Sequence, residues 1–190
     1  IQDLVSCGHT HVNQRLVIVN PDTLASCPPD TVGEIWLQGD SVAQGYWGRP
    51  EQTAATFEAT LSGSGEGPFL RTGDLGFLHD GDLYVTGRLK DLIIIRGRNL
   101  YPQDIEFTAG QSHIALEQGM GAAFAVDVDG EEKLVLVNEL ARRHRKADVD
   151  EVTTAVRRAI ALEHQVQLHA LVLIKPLSIR KTSSGKVKRH

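Results

Sequence analysis

Short runs of β-branched and aliphatic residues dominate the first 90 positions of the chain. Arg15-Leu16-Val17-Ile18-Val19 is compact and β-branched, and Gly33-Glu34-Ile35-Trp36-Leu37-Gln38-Gly39 alternates as a strand should. Turn formers separate these runs, in Asn20-Pro21-Asp22 and Cys27-Pro28-Pro29-Asp30. Residues 75–78 and 83–86 flank His79-Asp80-Gly81-Asp82, whose Asp-Gly pair predicts a hairpin. Ser62-Gly63-Ser64-Gly65-Glu66-Gly67-Pro68 has the composition of a surface loop. This half of the chain reads as a small β-rich unit.

A different rhythm follows. Four aliphatics in a row, Leu92-Ile93-Ile94-Ile95, predict a buried strand. Tyr101-Pro102 blocks helical backbone at Tyr101 and puts Pro102 where a helix can start, with Asp104 and Glu106 placed in the first turn against its positive end. Two strands are expected near 122–128 and 134–139, joined by Asp129-Gly130. Asp148 and Glu151 have capping-box spacing, and Val152, Val156, Ala159 and Ile160 fall on one face of the helix after them. A last strand, Leu168–Ile174, is stopped by Pro176. Strand, helix, two strands, helix, strand makes a compact α+β domain of roughly 100 residues. The fold class is therefore α+β, with a β-rich unit over 1–88 and an α+β unit over 89–190. No internal repeat interrupts this division.

Composition narrows the function classes. At 190 residues, 41% hydrophobic and 23% charged, the chain is an ordinary globular sequence that can bury one core or two small ones. No apolar run approaches the ~18 residues of a membrane span. Ile1-Gln2-Asp3 opens neither a basic region nor an apolar leader, and Cys7 and Cys27 are too few for a disulfide framework, so the location reads as cytoplasmic. The net charge of −4 hides an asymmetry, because residues 1–90 carry 5 basic and 11 acidic side chains while residues 140–190 carry 12 basic and 4 acidic. A basic end suits nucleotide phosphate or an acidic protein surface. Nucleic acid is not expected, since aromatics make up 5% and none interleaves Arg142-Arg143-His144-Arg145-Lys146, which alone reads as a solvated segment. Cys7-Gly8-His9-Thr10-His11 alternates soft ligands but lacks a fourth ligand and paired spacing, and no metal site is read from it.

Three stretches carry the candidate chemistry: Arg71-Thr72-Gly73-Asp74, then Thr86-Gly87-Arg88-Leu89-Lys90-Asp91 running into Gly97-Arg98-Asn99, and Thr182-Ser183-Ser184-Gly185-Lys186. Asp74 can accept hydrogen bonds from two neighbouring ribose hydroxyls, although the three letters Thr72-Gly73-Asp74 by themselves favour a mere turn residue after Gly73. The guanidinium of Arg88 matches ribose or phosphate oxygens, and its bland alternative is a surface salt bridge to Asp91 or Asp82. Lys186 follows a Ser-Ser-Gly approach that can carry an ammonium into a site built elsewhere, or it belongs to a basic tail. Activating a carboxylate with ATP sets two anions against each other, and a ribose-binding acid, an arginine and a mobile lysine answer that problem.

The run over 86–106, TGRLKDLIIIRGRNLYPQDIE, resembles the adenylate-forming superfamily and, more narrowly, the fatty acyl-AMP ligases that load fatty acids onto carrier proteins. The resemblance extends from Leu4-Val5-Ser6-Cys7-Gly8 to the last residues and includes Ser41-Val42-Ala43-Gln44-Gly45-Tyr46-Trp47. It implies the C-terminal portion of such an enzyme: a β-rich subdomain from the end of a large N-terminal domain, then an α+β lid. It assigns nucleotide contact to Asp74 and Arg88, the hinge of the lid to Lys90 and the catalytic lysine to Lys186. The implied substrates are a fatty acid and ATP, with Mg²⁺ as cofactor, AMP as product, and an acyl carrier protein's phosphopantetheine as acceptor. Coenzyme A as acceptor, or a non-catalytic module that docks a carrier or senses nucleotide, are the alternatives. Magnesium ligands, phosphate loop, adenine pocket and acyl tunnel would precede residue 1, so the chain alone is expected to be inactive. Leu100 stands where the family pattern suggests a polar residue.

Overall fold

The structure, a computed structural model, describes residues 4–10, 13–183, 185, 187 and 188. The chain divides into two compact units, Ile1–Lys90 and Asp91–His190, and the fold class is α+β.

In the first unit the β-branched runs form β1 (Gln14–Val19), β2 (Gly33–Gly39), β3 (Leu70–His79) and β4 (Asp82–Arg88), an antiparallel sheet in sequence order. The Asp80-Gly81 hairpin forms as its sequence requires, both residues taking positive φ (50° and 87°). Strand β2 departs from simple alternation, since Gly33, Glu34, Ile35 and Trp36 are all buried. It lies between two neighbours, and Trp36 packs with Val19, Leu61 and Phe69 on one side while Ile18, Ile35 and Leu75 are also withdrawn from solvent. Helix α1 (Pro50–Phe57) has no counterpart in the sequence reading because it has no buried residue and hence no apolar stripe. Pro50 starts it, and Thr53 Oγ1 ties it to the preceding loop by accepting from the Tyr46 amide (2.9 Å).

In the second unit the aliphatic run is shorter and less buried than its composition suggests. Strand β5 (Ile93–Ile95) pairs only with β6 (Arg98–Leu100), and Ile94 stays 49% exposed because a two-stranded hairpin offers one face to the core. Leu100 lies in that core with Ile93 and Ile95, which accounts for an apolar side chain at this position. Tyr101 is extended (φ −92°, ψ 123°) and releases α2 (Pro102–Ser112), as the Tyr-Pro step demands. Asp104 lies in the first turn, but Glu106 does not; its Oε1 accepts from the Ala123 amide at 2.9 Å and ties α2 to β7.

Strands β7 (Leu116–Val128) and β8 (Glu131–Leu140) pair antiparallel about Asp129-Gly130, and β9 (Leu168–Ile174) runs parallel to β8, giving the order β7-β8-β9. Helix α3 (Val149–His164) connects β8 to β9 and buries Val152, Val156 and Ile160 against a core that includes Ile105, Leu134 and Leu136. Ala159, expected on the same face, is only partly buried. The cap is half of a capping box: Asp148 Oδ1 accepts from the amides of Asp150 (2.8 Å) and Glu151 (3.4 Å), while the Glu151 carboxylate lies 3.6 Å from His113 Nε2. His164 ends α3 bonded to Thr108 Oγ1 at 2.8 Å, and burial pushes its imidazole below the usual histidine range. Among the described residues no helix is long and apolar enough to cross a membrane.

Candidate functional site

The site in the first unit is made by an irregularity in a hairpin. Counting back from the Asp80-Gly81 turn, His79 faces Asp82 and Gly76 faces Val85, so a regular ladder would set Asp74 opposite Gly87. The register slips between Leu75 and Gly76, Thr86 becomes the extra residue of a β-bulge, and Asp74 is instead paired with Arg88. Directly opposed residues share a face of the sheet. Arg88 Nε donates to Asp74 Oδ1 at 2.9 Å, with the two side chains 51% and 37% exposed. The salt-bridge partner of Arg88 is thus neither Asp82 nor Asp91 but the other candidate nucleotide residue. An ion pair this exposed is worth about 0.2–1 kcal/mol, weak enough for a ligand to displace. Asp74 spends one oxygen on it and a carboxylate has two.

The turn that presents Asp74 is held from below. Gly73 takes φ +71°, and a Cβ there would meet nothing within 4 Å, so it is the left-handed backbone and not crowding that calls for glycine. Thr72 Oγ1 donates to the Ile35 carbonyl (2.7 Å) and accepts from the Asp74 amide (3.0 Å). Beneath them Glu34, 2% exposed, accepts from Arg71 Nη2 (2.8 Å) and Nε (3.0 Å) through Oε2 and from the Gly73 amide (3.2 Å) through Oε1. The Arg71 guanidinium also lies 5.5 Å from the centre of the Trp36 ring. Glu34 was not singled out from the sequence, although a carboxylate set among Gly33, Ile35 and Trp36 requires a charged partner when it is buried. That requirement was the available signal.

Thr72, Gly73, Arg88, Leu89 and Lys90 line an open cleft of about 320 Å³. Lys90 is exposed, in a single 3₁₀ turn, Leu89–Asp91. Three of the four residues chosen from sequence, Asp74, Arg88 and Lys90, therefore belong to one short stretch of surface. The fourth, Lys186, lies outside the described residues. Around it, in the second unit, Lys181 and Val187 form an antiparallel bridge, the Gly185 amide donates to the Thr182 carbonyl (2.9 Å) and the Lys188 amide to the Arg180 carbonyl (2.9 Å). Among the described residues no group of His, Cys, Asp and Glu is placed to hold a metal ion.

Known proteins with this sequence pattern point the same way. Residues 2–47 match the family model of the AMP-binding enzymes. Over all 190 residues the chain is 54% identical to the medium-chain-fatty-acid–[acyl-carrier-protein] ligase JamA of Moorena producens, covering 32% of that protein. Over 181 residues, 90% of the chain, it is 44% identical to the putative fatty-acid–CoA ligase FadD21 of Mycobacterium bovis, covering 31% of it. A solved structure from a study of fatty acyl-adenylate ligases from E. coli and L. pneumophila superposes with a TM-score of 0.74 at 36% identity, over 98% of this chain and 31% of that one. The chain spans about a third of the length of the curated relatives it matches.

Proposed function

We propose that this chain, which belongs to the adenylate-forming superfamily, is the C-terminal part of a fatty acyl-AMP ligase: residues 1–88 the distal β-rich piece of the large domain and residues 89–190 its lid. The reaction joins a fatty acid to ATP as acyl-adenylate with release of pyrophosphate, and then passes the acyl group to the phosphopantetheine thiol of a carrier protein. The observation that carries this reading is the bulge-made pairing of Asp74 with Arg88, which lines an open cleft together with Thr72, Gly73, Leu89 and Lys90. Ribose hydroxyls donate to Asp74 and take the place of Arg88 Nε. The freed guanidinium then turns to ribose or phosphate oxygens, exchanging one charged partner for another. Lys90 is the pivot of the lid, and Lys186 stands between the substrate carboxylate and the α-phosphate. The described residues supply no acidic cluster fit for Mg²⁺. Two cysteines, both free, accord with a reducing cytoplasmic setting.

Coenzyme A as acceptor is the second reading, favoured by the name of the FadD21 relative. One experiment separates the readings: full-length protein with ATP, Mg²⁺ and a fatty acid, analysed by mass spectrometry, then chased with holo carrier protein or with coenzyme A. Acyl-AMP that is consumed by the carrier protein and not by coenzyme A is expected, while the 190-residue chain alone forms none. Preferential chase by coenzyme A would move the protein to the acyl-CoA synthetases. Nucleotide binding without acyl-AMP would make it a non-catalytic module.

A further inference from the structure

Among the described residues Glu139 is the other deeply buried acid, 1% exposed near the end of β8 and paired with Ile174, the last residue of β9. Just past Ile174 the chain leaves the sheet, since Pro176 has no amide to continue a ladder. Leu177 takes φ +64°, a left-handed backbone that a branched side chain adopts only under constraint. The constraint is visible. The Leu177 amide donates to Glu139 Oε2 and the Ile179 amide to Oε1, each at 2.7 Å. One carboxylate thus clamps two alternate amides of a segment with no regular structure. Directly beyond the clamp the chain pairs with itself, the Lys188 amide donating to the Arg180 carbonyl and Lys181 bridging Val187, and position 186 is the next residue before Val187 in sequence.

We propose that Glu139 is a positioning residue for adenylation: by fixing the backbone of 177–179 it sets the base of the segment that leads to Lys186. This rests on the ligase reading given above. A carboxylate is needed because it only accepts, so both oxygens can face N–H donors; a glutamine amide offers one acceptor and turns an NH₂ against the second donor. The effect is specific to one half-reaction, since the clamp acts on the approach to a lysine used where carboxylate and phosphate meet and not where a thiol attacks.

In the full-length protein, Glu139→Gln is expected to lower acyl-adenylate formation about tenfold or more and to leave transfer from preformed acyl-adenylate within about twofold. Amide hydrogen exchange should rise at Leu177, Ile179 and Lys188 while β7, β8 and β9 keep their protection. Glu139→Asp, which keeps the charge but shortens the arm, should fall between Glu139→Gln and wild type. An equal loss in both half-reactions with exchange raised across the sheet would show a merely structural acid and overturn the proposal. Lys186→Ala impairing adenylation while Glu139→Gln leaves it intact would overturn this inference alone. Absence of acyl-adenylate from the wild type would overturn the ligase reading and this inference with it.

Discussion

In the full-length protein Lys186→Ala should reduce the rate of acyl-adenylate formation by about a hundred- to thousandfold, while transfer from preformed acyl-adenylate stays within about threefold. The difference follows from charge. When a carboxylate attacks the α-phosphate, two anions approach in a site from which water is being expelled, and an ammonium between them stabilises that encounter more than it does the separated substrates. Thiol attack on the finished mixed anhydride presents no such encounter. Rapid-quench measurement of acyl-AMP for the first step and of acylated carrier protein for the second reads the two effects separately. An equal loss in both would remove Lys186 from the role proposed for it.

Lys90→Pro should divide the reaction at the other joint. Proline fixes φ near −65° and removes the amide donor. That value suits Lys90 within the 3₁₀ turn Leu89–Asp91, but proline also pushes the preceding residue, Leu89, away from helical backbone. If the lid turns about Lys90 between half-reactions, freezing this position permits one orientation and denies the other. The expected result is retained pyrophosphate release and a loss of carrier loading of at least about a hundredfold. Lys90 is exposed, so little packing is disturbed and the melting temperature should move by only a few degrees. A stable variant with both activities intact would place the pivot elsewhere or show that there is none.

Where one side of an element was buried and its ends were punctuated, the chain was legible. Strand β9 has the bounds its aliphatic run and Pro176 define, α3 buries Val152, Val156 and Ile160 as their spacing requires, and the Asp80-Gly81 and Asp129-Gly130 turns close the hairpins expected of them. Elements without that signal were not. Helix α1 buries nothing, β6 is three residues long with Arg98 and Asn99 exposed, and β7 begins at Leu116, beyond a register shift that hides its start among Glu117, Gln118 and Gly119. The candidate residues could be chosen from chemistry, but not their arrangement. Asp74 and Arg88 could each be chosen from chemistry, but their pairing depends on a one-residue bulge that no count from the turn supplies. Glu34 and Glu139 were passed over because a buried acid is recognised by its partners, and those lie 37 to 40 positions away in sequence.

The central claim is that the Asp74–Arg88 pair serves an enzyme that makes acyl-adenylate. Its most direct test is fatty-acid-dependent exchange of labelled pyrophosphate into ATP by the full-length protein, because the exchange requires adenylate to form and reverse but needs no acceptor. Wild type should exchange only when a fatty acid is present, and Asp74→Ala should lower the exchange by about a hundredfold or more through loss of the ribose contact. Exchange that is absent from the wild type, that proceeds without fatty acid, or that survives Asp74→Ala unchanged would contradict the account.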